Sequence, residues 1–226
     1  MSEPEDIFAA AFCAGIRPDP VLRVSEWADC HRILPQRAAA EPGPWRTSRT
    51  PYLREIMDKL SPSDPTQIVV LMKGSQLGGT EAGNNWLGFL IDCAPGPIMM
   101  VQPTVEMAKR VSKQRIATMI EDCPRLREKV SDARSRDSGN TILAKEFPGG
   151  ILVITGANSA VGLRSMPVRN LFLDEVDGYD SDVDGEGDPV ELAMKRTSTF
   201  RRNRKVLIVS TPTVKDLSRI EKAFLR

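Results

Sequence analysis

Apolar positions in this 226-residue chain follow two alternating patterns. Short runs without polar interruption occur at Gln67-Ile-Val-Val-Leu-Met72, Pro97-Ile-Met-Met-Val101, Asn170-Leu-Phe-Leu173 and Lys205-Val-Leu-Ile-Val209. Runs of this length predict strands buried on both faces. Between them the spacing becomes helical. It predicts helices from Thr80 to about Asp92, from a cap at Thr104 towards Asp122, and from Pro189 to about Phe200. Thr141–Phe147 and Gly150–Thr155 read as a strand pair turning at Pro148-Gly149. Strands alternating with helices predict an α/β fold, with a mostly parallel central sheet flanked by helices on both faces.

Residues 1–65 have a different texture. Glu41-Pro-Gly-Pro-Trp45 and Ser61-Pro-Ser-Asp-Pro65 read as turns, and only Pro51–Leu60 shows helical spacing. The expected organisation is an irregular N-terminal extension over 1–65 and a core over 66–226. Ile220–Arg226 looks like the interior of a helix without a stop signal, so a longer protein is expected. Charged residues at 27% and hydrophobic ones at 41% are ordinary for a globular domain, and the formal charge of +1 gives no broad basic field. Four scattered cysteines and one histidine supply no zinc-ligand spacing, and reduced thiols are the expectation. No apolar run is long enough for a membrane span, and the acidic segment Ser2–Asp6 is unlike a secretion signal.

Chemistry concentrates at the ends of the predicted strands. Asn170–Leu173 delivers two adjacent carboxylates, Asp174 and Glu175. At the rim of a parallel sheet, the first can hold Mg²⁺ and the second can orient and deprotonate a water. About a hundred residues upstream, Lys73-Gly-Ser-Gln-Leu-Gly-Gly-Thr80 also follows an apolar strand. Laid on the phosphate-loop pattern G-x-x-x-x-G-K-[ST], it keeps Gly78 and Thr80 in register. Gly79 stands in the lysine slot and Lys73 in that of the first glycine. A lysine there is long enough to reach back over the loop. Without a ligand, the same residues are only a glycine-rich turn. Ser210 and Thr211 end another strand, where they can sense a γ-phosphate or cap a following helix. Arg164 ends a loop of small residues, where it can stabilise transition-state charge or remain solvated.

Taken together, these residues resemble the ATPase domain of the large terminase subunit of tailed bacteriophages, in particular the lambda-like GpA family. The motifs are Ser25-Glu-Trp-Ala28, Pro51-Tyr52, Met72–Glu81, Gly162-Leu-Arg164, Leu173–Asp177, Arg196 with Phe200, and Ser210-Thr-Pro-Thr213. The lysine displaced to the front of the loop is itself a mark of that family. The resemblance implies a P-loop NTPase of the ASCE type that hydrolyses ATP with Mg²⁺ and packages double-stranded DNA. Implied nucleotide-binding residues are Lys73, Gly74, Ser75, Gln76, Gly78, Gly79 and Thr80, with Tyr52 as adenine neighbour. Thr80 and Asp174 would serve Mg²⁺. Glu175, Arg164 and Lys73 would be catalytic, and Ser210, Thr211 and Pro212 would couple hydrolysis to motion. Implied partners are double-stranded DNA, the small terminase subunit, the portal and procapsid, and further copies in a ring, in the host cytoplasm and away from membranes. Two other readings stay open. Asp-Glu-Val-Asp177 and Ser-Thr-Pro212 also resemble helicase motifs, and a non-hydrolysing docking domain would share the fold. Many large terminases carry a further cation in the loop, where this chain has Gln76 and Glu81.

Two charged segments complete the reading. Asp180–Glu191 satisfies the spacing of a calcium-binding EF-hand, but a strand rather than a helix enters it and Pro189 sits in its exit, so an acidic surface loop is expected. Lys195, Arg196, Arg201, Arg202, Arg204 and Lys205 form a basic cluster. The arginines are candidate contacts for DNA or a neighbouring subunit; the alternative is a solvated helix end.

Overall fold

The computed structural model describes residues 12, 21–36, 41–130 and 140–226; the rest of the 1–65 segment lies outside the described residues. Six strands form one sheet: β3 (Ile68–Met72), β4 (Pro97–Gln102), β5 (Ala144–Phe147), β6 (Gly150–Gly156), β7 (Asn170–Asp174) and β8 (Lys205–Ser210). Their order is β3-β8-β7-β4-β6-β5, and all neighbours are parallel except the β5–β6 hairpin. The preceding β1 (Ile33–Leu34) and β2 (Gly43–Pro44) make a small separate ribbon.

Strand parity explains the layers, because successive side chains point to opposite faces. Ile98, Met100, Phe172, Leu207 and Val209 pack on one face. Met99, Val101, Leu171, Leu173, Val206 and Ile208 pack on the other. The first face is covered by α1 (Val24–His31), α2 (Tyr52–Lys59), α3 (Gly79–Cys93), α4 (Val105–Val111), α5 (Ala117–Asp122) and α6 (Pro124–Lys129). The second carries α7 (Ala160–Leu163), α8 (Pro189–Lys195) and α9 (Arg219–Phe224). Phe172 projects into α3 at Gly83, where an added Cβ would lie 2.2 Å from the ring. That absent side chain lets the helix close on β7.

Several boundaries differ from the sequence expectation. The helix capped by Thr104, whose Oγ1 accepts from Met107 N at 3.2 Å, passes through a wide π turn at Ser112–Ile116 before reaching Asp122. β5 starts at Ala144 because Thr141 Oγ1 accepts from Ala144 N, forming a turn that holds the preceding residues out of the ladder. The N-terminal segment holds more regular structure than its prolines suggest. Within α1, Val24, Trp27 and Ala28 are fully buried against the core. Trp27 Nε1 donates to Asp92 Oδ2 at 2.8 Å, and Lys129 pairs with the same buried carboxylate at 2.8 Å. Trp27→Ala should therefore destabilise the fold by about 3–5 kcal/mol, the usual cost of truncating a buried large aromatic. Urea unfolding of the two proteins measures the difference.

Candidate nucleotide-hydrolysis site

The C-terminal ends of β3, β8 and β7 form one rim. Met72 pairs with Ser210 and Asp174 with Val209, so Lys73, Asp174, Glu175 and Thr211 leave the sheet side by side. Lys73 Nζ lies 3.0 Å from Glu175 Oε1 and donates to Thr211 Oγ1 at 3.3 Å. Thr80 Oγ1 donates to Asp174 Oδ1 at 3.2 Å. The glycine loop and the acidic pair, about a hundred residues apart in sequence, therefore meet directly.

The displaced lysine has a steric basis. Gly78 has φ +77°, the left-handed conformation that glycine adopts without strain, and it opens α3. A Cβ on Gly79 would stand 2.6 Å from Lys73 Cδ and 2.9 Å from its Cε. The lysine stem thus crosses the place where the residue in the ordinary lysine slot would carry a side chain. Lys73 N is fixed by donating to Ser210 O at 3.1 Å, and its side chain is only 8% exposed. Gln76 and Glu175 hold left-handed backbones, φ +59° and +54°, which non-glycine residues adopt at a cost. The proposed base thus occupies a strained turn directly after its strand.

Asp174 is 3% exposed, and burial pushes its carboxyl up to about 6. Hydrogen bonds from Gln102 and Thr80 oppose that rise, and the neighbouring Glu175 charge adds to it. Sequence reasoning does not single out Gln102. It ends β4, is itself buried, and donates from Nε2 to Asp174 Oδ2 at 3.1 Å. Together Thr80 and Gln102 orient both carboxylate oxygens. Gln102→Leu removes one of them and should reduce turnover by about 10-fold, the scale of losing one hydrogen bond to a charged group. The check is steady-state kinetics on both proteins with circular dichroism as the folding control.

Asp177 is visible in the sequence only as the end of the acidic motif, and the structure shows what it holds. Its Oδ2 accepts from Thr213 N and Oγ1 at 3.0 and 2.9 Å, and its Oδ1 accepts from Ile220 N at 2.8 Å. Burial pushes its carboxyl up, but these bonds and that of Ser218 outweigh it, leaving it below the ordinary value. Asp177 N donates to Ser210 Oγ at 3.2 Å. The acidic turn, Ser210–Thr213 and the start of α9 are thereby tied into one unit, with Pro212 inside it.

The other sequence candidates take distinct places. Tyr52 is 53% exposed, and its hydroxyl donates to Leu77 O at 3.2 Å, bracing the glycine loop from outside. Gly74, Ser75 and Gln76 form the loop itself. Glu81 turns away from it and pairs with Arg32 at 3.0 Å and Arg115 at 2.7 Å. This brings Arg115 to a cavity of about 420 Å³ that also includes Gln76, Trp45, Arg46 and Thr50. Arg115 thus shares this cavity with Gln76 of the loop, alongside Arg32, Arg46 and Arg49. Arg164 is not drawn to Lys73 or Glu175; it pairs with Glu186 of the acidic loop at 2.5 Å. In that loop, Asp182 accepts backbone N–H groups of Gly185 and Gly187 at 2.7 Å, and Asp188 caps α8.

Arg196, Arg201, Arg202 and Arg204 lie at the opposite, N-terminal edge of the strands. Lys205, grouped with them from sequence, is buried. Its Nζ donates to the carbonyls of Lys59, Asp64 and Thr66 at 3.0, 2.6 and 2.5 Å, which makes it a structural tie rather than a surface contact.

A parallel sheet with a glycine loop after one strand, acidic residues after another and a further strand inserted between them defines a P-loop NTPase of the ASCE type. Residues 39–226 match the family described as phage terminase large subunit gpA, ATPase domain, and the chain belongs to that family. It is 28% identical to the large terminase subunit of Enterobacteria phage P21 over 209 residues, covering 92% of this chain and 32% of that protein. It is also 28% identical to that of Escherichia phage lambda over 208 residues, with the same coverage. The chain thus spans 32% of the length of these relatives. Among solved structures, the HK97 bacteriophage large terminase superposes with a TM-score of 0.66 at 15% identity, covering 88% of this chain and 39% of that one.

Proposed function

We propose that this chain is the ATP-hydrolysing motor of a packaging machine that drives double-stranded DNA into an empty procapsid. The observation that carries the proposal is the 3.0 Å contact between Lys73 Nζ and Glu175 Oε1, which joins the glycine loop to the acidic turn. Family membership supports ATP as the nucleotide and does not favour a helicase. The small terminase subunit, the portal and a ring of identical copies complete the proposed assembly, in the host cytoplasm. No helix among the described residues is long and apolar enough to cross a membrane.

Thr80 and Asp174 suit Mg²⁺, a hard cation that nucleotide sites hold with one or two protein oxygens, phosphates and waters. When bound, the ion neutralises charge on the β- and γ-phosphates. Lys73 then exchanges its carboxylate partner for a phosphate. Glu175, relieved of that partner, orients a water and accepts its proton as the water oxygen attacks the γ-phosphorus and the bond to the leaving diphosphate breaks. Because Lys73 also holds Thr211, the same exchange loosens Ser210–Pro212 and, through Asp177, α9. Tyr52 and the cavity beside Gln76 provide for the base and ribose. The direct test is Mg²⁺-dependent phosphate release from ATP by the purified chain. Calorimetry with no ATP or ADP binding at millimolar concentration would instead support a docking domain.

Arg164 completes the proposal as a residue acting across a subunit interface, since in its own chain it is held by Glu186. Mixing Arg164→Ala with Glu175→Ala subunits should restore part of the lost activity, because mixed interfaces contain one intact pair. A demonstrably assembled mixture that stays inactive would exclude the trans role.

A further inference from the structure

The edge of the sheet opposite the nucleotide site contains a second cavity, of about 400 Å³. Arg169, Arg202, Arg204 and Lys205 line it, with Asp64 as the one acidic residue in the lining. Arg169 is fixed, its Nη2 donating to Ala94 O and Pro95 O at 2.7 Å each, and Lys205 is fixed by the three carbonyls described above. All three donors of Lys205 are committed to these carbonyls, and Arg169 Nη2 to its two. Two other donors are not committed. Asn170 lines the cavity and is 2% exposed; its Nδ2 and Arg204 Nε have no partner among the described residues, but both atoms are enclosed by protein rather than open to the cavity, and Arg204 Nη1 donates to Thr197 Oγ1 at 3.0 Å. Arg202, which is exposed, stands at the same cavity.

We infer that this cavity binds a backbone phosphate of double-stranded DNA. The inference rests on the packaging reading for its choice of ligand, and on charge for its place. The chain as a whole is nearly neutral, so DNA must meet a local patch. The rim carrying the nucleotide site also carries Asp180, Asp182, Asp184, Glu186 and Asp188, which repel phosphates. The cations gather at the other end of the strands, around a cavity that Arg169, Arg202, Arg204 and Lys205 line against a single acidic residue, Asp64. Contacts of this kind position DNA without reading its sequence.

The test is anisotropy of a fluorescent mixed-sequence duplex against salt, without nucleotide, for the wild-type chain and for Arg202→Glu, Asn170→Asp and Arg201→Glu. Arg201 lies outside the lining and is the control for general charge. Arg202→Glu and Asn170→Asp should weaken binding by about 10-fold and flatten the log–log salt slope by about 0.9 for each phosphate no longer neutralised, with a smaller effect for Arg201→Glu. Arg202 is exposed, so its variant folds even if the buried Asn170 substitution does not. Three results would overturn the inference. One is a wild-type chain that does not bind duplex. Another is equal weakening by Arg201→Glu and Arg202→Glu, which means a diffuse patch. The third is unchanged duplex binding with loss of thermal stabilisation by inorganic phosphate, which assigns the cavity to the free ion. ATP hydrolysis by the same proteins without DNA separates the two readings: it stays unchanged in Arg202→Glu if the nucleotide site is sound.

Discussion

Glu175→Gln should lower ATP turnover by about two to four orders of magnitude while leaving ATP affinity close to wild type. Glutamine keeps the shape and one acceptor oxygen, but it cannot take a proton from water. The substitution therefore removes an interaction made in the transition state rather than in binding. Lys73→Ala should behave differently, because its ammonium is proposed to serve bound phosphate as well as the transferring group. It loses affinity and turnover together. The contrast is informative, since Lys73 and Glu175 are partners in the unliganded geometry, 3.0 Å apart. A merely structural ion pair would make the two variants alike, with similar small losses of stability and no selective loss of turnover. Isothermal titration for binding and phosphate release for turnover separate these outcomes.

The second large effect has opposite signs for stability and activity. Asp174 is buried and its carboxyl is lifted from the ordinary 3.8 to about 6. A raised carboxyl favours the folded state where it is protonated, and this contribution is lost as pH rises through the folded value. Above pH 7 the ionised carboxylate costs the fold about 3 kcal/mol, at 1.36 kcal/mol per pH unit. Asp174→Asn keeps the shape without the charge. It should therefore raise the melting temperature by roughly 5–10 °C at pH 8 in the absence of nucleotide and metal. The gain should shrink towards pH 4.5, where the wild-type group is protonated in the fold. The same variant should be inactive, having lost the carboxylate proposed to serve Mg²⁺. Scanning calorimetry of both proteins across pH, with chelator present, reads the first part. A gain that does not depend on pH would show that burial of this charge is not its source.

How much of the fold and site is legible in the sequence depends on the range of the interactions. The apolar runs that form β4, β7 and β8 carry their signal locally, because both-face burial demands apolar residues at every position; the run of β3 marks a strand but overstates its burial, since β3 is the edge strand of the sheet, half-buried, with Ile68 exposed. The loop is legible for the same reason: Gly78, Gly79 and Thr80 must be consecutive to turn from strand to helix. Its unusual lysine is visible as a displacement, but the cause, Gly79 making room for the Lys73 stem, needs three dimensions. The helix Val24–His31 escapes the sequence pattern although Val24, Trp27 and Ala28 keep helical spacing, because one turn of apolar residues among Ser25, Glu26 and Asp29 is a weak signal. Gln102 and Arg115 are beyond sequence reasoning. Gln102 reaches Asp174 across 72 residues, and Arg115 is tied to the loop through Glu81, 34 residues away. A polar residue ending a strand or facing out of a helix carries no mark of the carboxylate it will meet. The basic cluster is only half legible, since Lys205 looks like its neighbours until its carbonyl partners are seen.

The turn behind Lys73 and the acidic pair at 174 and 175 are proposed to serve a single triphosphate, and every catalytic role assigned above depends on it. A crystal structure of the chain with Mg²⁺ and a non-hydrolysable ATP analogue tests this most directly. The expected result is the γ-phosphate within hydrogen-bonding distance of Lys73 Nζ and the ion beside Thr80 and Asp174. Nucleotide bound away from this rim, with Lys73 still paired to Glu175, would contradict it.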